Sequence, residues 1–177
     1  MNKAAIKNFA VEARKKLIAS VKDKAGRIGI TNENITEAIS KGEGYAVFPT
    51  HIGSETTIVG KELKQRENLV NRIKEKGYES VMEEVAYTWF NRIIAVRFME
   101  INDYLPSRIR VLSSETKGKS EPDMVTTPFD TDMDFSPYEK DRIMQLKDEN
   151  KLDELFRMLF IKQCNKIYPS RESIPHT

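Results

Sequence analysis

The sequence has little of the chemistry that most enzymes and metal proteins use. It contains one cysteine, Cys164, and two histidines, His51 and His176, which lie far apart. A single cysteine excludes an intrachain disulfide and a cysteine-rich zinc site, and it is typical of a reducing compartment. We therefore expect a cytoplasmic protein that has no metal ligands and no catalytic residues of its own.

Long apolar runs are also absent. Charged residues make up 32% of the chain, and the most apolar stretch, residues 86–105, is interrupted by Arg92 and Arg97. A membrane-spanning helix needs about 20 predominantly apolar residues. Residues 1–16 lack the apolar core of a secretory signal. The composition therefore predicts a soluble protein with no membrane partner.

Sequence motifs for catalysis are missing as well. No GxSxG, P-loop or GxGxxG pattern occurs. Asp123 and Glu149 mimic the PD and ExK acids of metal nucleases, but we expect a loop at the first and a helix end at the second, where nucleases use adjoining strands. The alternating aspartates at 130–134 resemble the start of a calcium loop, but Phe135 replaces the required glycine.

What the sequence does have is charge of uneven distribution. The net charge is only +2. Residues 1–27 hold eight Lys and Arg against two acids, and residues 61–76 hold six against three. Residues 115–154 hold six against twelve. The basic segments are either solvated helix faces or a surface for a polyanion such as nucleic acid.

The N-terminal half predicts two basic helices around a small β element. Apolar residues recur at helical spacing over residues 3–26 and again over 61–76, where Gly77 is placed to end the helix. Between them we expect a short helix at 34–40. β-Branched residues and glycines near 44–60 predict a loop or a minor β-hairpin.

The C-terminal half predicts three further helices. A long central helix spans about 78–103. Arg108–Ser114 is a candidate short strand, and the polar, acidic residues 113–135 predict a long loop that buries little. Ser136, Pro137 and Glu139 form an N-terminal capping signature for a helix to 148, and a last helix covers 151–168. The fold class is mainly α: one helical domain, residues 1–168, around a central buried helix, with a flexible tail at 169–177.

The central helix carries polar groups on apolar faces. On a helical wheel Arg97 lies among Phe90, Ile93 and Ile101. A buried arginine must be paired, and Glu100 is one partner in reach. We expect Trp89, Arg97 and Glu100 to be structural. Replacing Arg97 with alanine should lower the free energy of unfolding by about 3–5 kcal/mol if it leaves a buried carboxylate without a partner.

A distinctive set of residues over the middle of the chain resembles a known family. The set comprises Arg66, Leu69, Val70, Gly77, AYTWFNR at 86–92, RFME at 97–100, Tyr104, Leu105, Arg110, Leu112 and the pair Gln163–Cys164. It resembles the N-terminal region of the PglX family of adenine-specific DNA methyltransferases from BREX phage-defence systems. The likeness extends to about Ile167.

The resemblance implies a role within a longer enzyme. In the family, S-adenosylmethionine and the target adenine are bound by a glycine-containing motif and an Asn-Pro-Pro-Tyr motif of a downstream domain. This sequence contains no Pro-Pro pair. No catalytic or cofactor-binding residue can therefore be carried over, and S-adenosylmethionine is implied only for the full-length parent.

Three functions remain open at this point. The chain is a non-catalytic module that binds DNA or packs against the methyltransferase domain, an interaction scaffold for other BREX proteins without DNA contact, or an independent small nuclease. In the first case certain basic side chains would contact the DNA backbone. These candidates are Lys15, Lys16, Lys22, Arg66, Arg72 and Lys74.

Overall fold

Helices dominate the structure, a computed structural model that describes residues 3–167. The order of the elements is α1 (Lys3–Gly26), β1 (Ser40–Gly42), β2 (Tyr45–Pro49), β3 (Glu55–Val59), α2 (Lys61–Lys76), α3 (Tyr78–Ile101), α4 (Asp123–Thr126), a 3₁₀ turn (Pro128–Asp130), α5 (Pro137–Asp148) and α6 (Leu152–Ile167). The mainly α class with a minor β element is confirmed.

These elements form two compact units that divide between Asn91 and Arg92. The first holds α1, the sheet, α2 and the N-terminal part of α3; the second holds the rest of α3 and the elements after it. The single domain over residues 1–168 stays a prediction, and the tail at 169–177 lies outside the described residues. Within residues 3–167 no helix is long and apolar enough to cross a membrane.

The first unit has a core shared by three helices. Ala25 at the end of α1 and Ile30 in the loop after it pack with Ile73 of α2 and with Val81 and Met82 of α3. Gly77 ends α2 as predicted, with φ 84° and its N–H donated to the carbonyl of Ile73. The N-terminal part of α1 contributes nothing to this core, because its side chains are exposed.

The β element is larger than a hairpin. β1, β2 and β3 form an antiparallel sheet in that order, with Lys41 opposite Ala46 and Ala46 opposite Ile58. One face of the sheet is buried, because Ala46, Phe48 and Ile58 form a second small core. This core packs against Leu63 of α2.

The prediction of a helix over residues 34–40 is wrong. Ile35 pairs with Ile30 as an isolated bridge, and Ser40 already begins β1. The N–H of Thr36 is donated to the carbonyl of Gly29 at 2.8 Å, and the Thr36 hydroxyl to the same carbonyl at 3.0 Å. These long-range bonds take the groups that a helical turn needs.

Helix α3 is buried on one side only. Val81, Met82 and Ala86 are buried, as are Val96 and Glu100. Other apolar side chains of this helix face solvent within the described part of the chain: Tyr87, Ile94, Phe98 and Ile101. The ring of apolar residues seen in the sequence is therefore only partly covered.

The connection from α3 to α5 differs from its prediction. Residues 108–114 are irregular, with bends at 111–113, rather than a strand. The segment 113–135, expected to bury little, contains α4 and the 3₁₀ turn, and it buries Met124 completely. Met133 is also buried.

Helix α5 begins with the capping box that the sequence predicts. The Ser136 hydroxyl accepts from the N–H of Glu139, and the Ser136 N–H is donated to the Glu139 carboxylate at 2.8 Å. Lys162 of α6 donates to the other carboxylate oxygen at 2.7 Å. The bond from Lys162 and the Ser136 N–H hold the pKa of Glu139 at about 2, against an ordinary value of 4.5.

This depressed pKa predicts an acid-dependent loss of stability. The contribution of ionised Glu139 is complete above the unfolded value of 4.5 and disappears as the pH falls towards about 2. Because the side chain is partly solvated, we expect about 1 kcal/mol. In urea titrations between pH 7 and pH 3, Glu139→Gln should flatten the pH dependence. An unchanged slope would contradict the assignment.

Candidate functional site

The basic side chains of α1 differ in whether an acidic side chain of the protein already pairs with them. Lys15 is 71% exposed and its nearest acid, Glu12, lies 3.6 Å away. Lys16 is exposed and has no ion pair within residues 3–167. Lys22 instead pairs with Glu79 of α3 at 2.7 Å, and that hydrogen bond raises the pKa of Lys22. Lys15 and Lys16 therefore remain available to an outside anion.

Within residues 3–167, helix α2 likewise carries both ion-paired and unpaired basic side chains. Arg72 pairs with Glu84 of α3 at 2.9 Å, and Lys76 contacts the same carboxylate at 3.2 Å. The hydrogen bond from Lys76, together with the charge of Arg72, lowers the pKa of Glu84. Lys74 is exposed, and the described residues offer it no ion pair. Arg72 is thus engaged in a solvent-exposed ion pair between α2 and α3.

Arg66 does not belong with the surface cations. It is only 8% exposed. Its Nε donates to the carbonyl of Ile28 and its Nη2 to the carbonyl of Thr36, both at 2.8 Å. Its guanidinium carbon lies 3.7 Å from the centre of the Phe48 ring. Arg66 therefore fixes the loop after α1 against α2 and the sheet, and its contact with DNA stays a prediction.

A pocket of about 540 Å³ opens beside Arg66, between α2 and the strands β1 and β2. Its apolar wall includes Phe48, Leu63 and Val70. Lys41 and Lys74, both exposed, also line it. Sequence reasoning missed this pocket, because its walls come from three separate segments.

The second unit contains a buried carboxylate, Glu100, whose side chain is fully covered. It accepts hydrogen bonds from the N–H groups of Val111 and Leu112 at 2.7 and 2.6 Å, and from the Ser113 hydroxyl at 2.6 Å. Arg97 completes the set through an ion pair. Burial opposes ionisation, but these four donors outweigh it, so the pKa of Glu100 lies below its ordinary value.

The burial in this pair belongs to Glu100 rather than to Arg97. The Arg97 side chain is 47% exposed, and it also donates to Ser113 at 3.0 Å. Trp89, the third predicted structural residue, is partly buried on α3. The polar groups of the long helix thus anchor the irregular segment that follows it.

Asp123, the first acid of the nuclease-like pattern, is used in the same way. Its carboxylate accepts from the Ser114 hydroxyl at 2.5 Å and from the N–H of Glu115 at 2.9 Å. Within the described range no group of three or more His, Cys, Asp or Glu side chains is placed to hold a metal ion. These contacts give Asp123 a structural role at the start of α4.

The histidine and the cysteine within the described range lie in structural settings. The imidazole of His51 contacts the Asp23 carboxylate at 3.3 Å. The backbone N–H of His51 is donated to the carbonyl of Gly26. Cys164 is completely buried in α6, and burial raises the pKa of its thiol. A thiol of this kind is a poor nucleophile.

Comparison with known proteins gives two relatives, while no protein-family model matches the chain. The chain is 39% identical over 181 residues to the adenine-specific methyltransferase PglX of Lacticaseibacillus casei (strain Zhang). It is 32% identical over 176 residues to the adenine-specific methyltransferase BrxX of Escherichia coli O9:H4 (strain HS). The matches take in 94% and 95% of this chain, respectively.

The matched region is a small part of each relative. The chain spans about 15% of the length of PglX and 14% of that of BrxX. Both alignments include the residues on which the resemblance rests, because they leave only about a twentieth of this chain unmatched. The resemblance is thereby confirmed, and the chain corresponds to the N-terminal region of a PglX-like adenine-specific methyltransferase.

Proposed function

We propose that the chain is a non-catalytic helical module of an adenine-specific DNA methyltransferase used in phage defence. In this role it holds the DNA backbone, while S-adenosylmethionine and the target adenine are bound by a different domain of the parent enzyme. The observation that carries the proposal is the exposed, basic N-terminal part of α1 on a chain whose relatives are named as methyltransferases.

Within this proposal, the DNA contacts are assigned to the basic side chains that have no strong partner within the first unit. Lys22, Arg66 and Arg72 are engaged within the first unit. Lys15 and Lys16 on α1 are exposed, and a phosphate contact would cost them little, because an ion pair as exposed as that of Lys15 with Glu12 is weak. Contacts of this kind supply affinity without sequence choice, which suits a module that delivers DNA to a separate recognition site.

The test is binding of the chain to a short fluorescent duplex across a salt series. The wild-type affinity should fall steeply between about 50 and 200 mM salt and be indifferent to sequence. Lys15→Gln combined with Lys16→Gln should weaken binding and reduce the slope of log affinity against log salt by about 1.8, for two lost phosphate contacts.

The matched control neutralises two other exposed lysines, Lys117 and Lys140. It removes the same charge and should change the slope much less than the Lys15 and Lys16 pair. Equal effects from both double variants would mean that only net charge matters. Absence of binding by the wild-type chain at low salt would refute DNA contact by this module.

A second function is favoured by a different observation. The second unit exposes four large apolar side chains: Ile94, Phe98, Ile101 and Tyr104. The rings of Phe98 and Tyr104 meet edge to face, with their centroids 5.9 Å apart. Apolar side chains clustered along one helix and its end are typical of a packing surface. In this alternative the module packs against the methyltransferase domain of the parent or docks other BREX subunits, and it makes no DNA contact.

The two functions separate in one experiment on the isolated chain. If the apolar residues form a packing surface, the chain should self-associate at high concentration in analytical ultracentrifugation, and Phe98→Ser with Ile101→Ser should return it to a monomer. Tyr138→Ser is the control, because Tyr138 is an exposed aromatic residue on α5. A chain that is monomeric before any substitution argues against this alternative.

A further inference from the structure

The pocket beside Arg66 contains a buried positive charge without a buried acid to balance it. Arg66 lines the pocket and is 8% exposed. A guanidinium carries five N–H donors, and the structure gives two of them protein acceptors, the carbonyls of Ile28 and Thr36. Within residues 3–167 no carboxylate forms an ion pair with Arg66.

Such an arrangement is unusual for a group that serves the fold alone. Buried charges in proteins are normally paired with an opposite charge, because carbonyl oxygens satisfy hydrogen bonds but do not neutralise. Burial lowers the pKa of Arg66, yet a guanidinium keeps its proton in a protein. The charge is therefore permanent, and an anion that enters the pocket would neutralise it.

The other lining residues indicate which anion fits. Lys41 on β1 and Lys74 on α2 add two cations, whereas the exposed Glu37 and Glu67 contribute two acids. The net charge of these five groups is +1, so an anion is favoured and the acids remain as hydrogen-bond acceptors. Arginine suits phosphate because its forked donors match the phosphate oxygens.

The size and the apolar wall indicate that the phosphate is part of a larger group. A volume of about 540 Å³ falls within the range of small-molecule sites, about 300–1,000 Å³. Leu63 and Val70, both partly buried, provide apolar area for a flat ring, and the acids can accept from sugar hydroxyls or an exocyclic amine. A lone inorganic ion would leave this wall uncovered.

We propose that this pocket binds a nucleotide through a terminal phosphate monoester, with Arg66 facing the phosphate and with Lys41 and Lys74 beside it. A terminal monoester offers three strong acceptor oxygens, enough for Arg66, Lys41 and Lys74 to donate to one oxygen each. The proposal is independent of backbone contact by α1. The phosphate can belong to a free mononucleotide or to the 5′ end of a single strand.

The experiment is isothermal titration calorimetry of the 177-residue chain with adenosine 5′-monophosphate, with adenosine and inorganic phosphate as separate probes. The monophosphate should bind more tightly than either part. A trinucleotide with a 5′-phosphate is compared with the same trinucleotide ending in a 5′-hydroxyl. Binding of the free nucleotide alone indicates a small-molecule site, and binding of both phosphorylated probes indicates a strand end.

Substitutions of the exposed lysines that line the pocket test whether the ligand binds there, and they leave the buried contacts of the fold intact. Lys41→Gln combined with Lys74→Gln should weaken the monophosphate about tenfold, a change typical of two partly solvated ion pairs. Lys64→Gln is the matched control: Lys64 is exposed on α2 but does not line the pocket, and it should change the affinity less than twofold. Circular dichroism checks that each variant is folded.

Three results would overturn the proposal. One is the absence of binding by the wild-type chain at millimolar monophosphate. A second is binding that the Lys41 and Lys74 double variant leaves unchanged, because the ligand would then lie elsewhere. Adenosine that binds as tightly as its monophosphate would also contradict it, since the buried cation would have no role.

Discussion

Replacing Glu100 with alanine should lower the free energy of unfolding by about 3–5 kcal/mol, the range for breaking a buried, hydrogen-bonded charge network. The substitution removes the acceptor of the N–H groups of Val111 and Leu112 and of the Ser113 hydroxyl. Val111 is itself buried, so its N–H would be left without a partner. Urea denaturation of the 177-residue chain measures the loss.

Two related variants test whether the buried carboxylate is the source of this effect. Glu100→Gln keeps the volume and one oxygen acceptor, so its loss should be intermediate. Arg97→Ala should cost only about 1 kcal/mol, because Arg97 is 47% exposed and Glu100 keeps its other three donors. This value is below the 3–5 kcal/mol expected from the sequence, where Arg97 is taken as the buried partner.

The order of the three variants decides the matter. If Arg97→Ala destabilised the chain as much as Glu100→Ala, the ion pair rather than the set of backbone donors would hold the connection after α3. If Glu100→Ala cost less than about 1 kcal/mol, the buried network would make no net contribution, as some buried ion pairs do not. Unchanged m-values would show that the variants alter the stability rather than the compactness of the denatured state.

Features with a local cause could be predicted from the sequence. The capping box of α5 depends on Ser136 and Glu139, three residues apart, and the end of α2 depends on Gly77 alone. Helical periodicity placed five of the helices to within about two residues, which is the usual scatter of helix ends. These signals lie within one or two turns of the residues they affect.

Features with a distant cause could not be predicted. Glu100 is recognisable as a charged residue on an apolar helix, but two of its partners are backbone N–H groups of an irregular segment, and any sequence would supply those. Arg66 looks like one more cation on a basic helix, yet its acceptors lie 38 and 30 residues away. The pocket beside Arg66 could not be predicted either, because its lining residues come from segments that are distant in the sequence.

Replacing Arg66 with methionine should lower the free energy of unfolding by about 2–3 kcal/mol, the second largest effect expected. Methionine keeps much of the side-chain volume, but the carbonyls of Ile28 and Thr36 lose the donors that now lie at 2.8 Å. Removing a buried charge recovers part of its desolvation cost, which keeps the loss below that of Glu100→Ala. Urea denaturation again measures the loss.

Arg72→Met is the matched control, on the same helix with the same change of side chain. Arg72 is 45% exposed and its pair with Glu84 faces solvent, so this variant should leave stability nearly unchanged. Equal losses at the two positions would mean that charge on α2, rather than the contacts of Arg66, sets the stability of the first unit. A more stable Arg66→Met chain would show that the buried cation is retained at a cost to the fold, which is the expected pattern for a residue kept for a ligand.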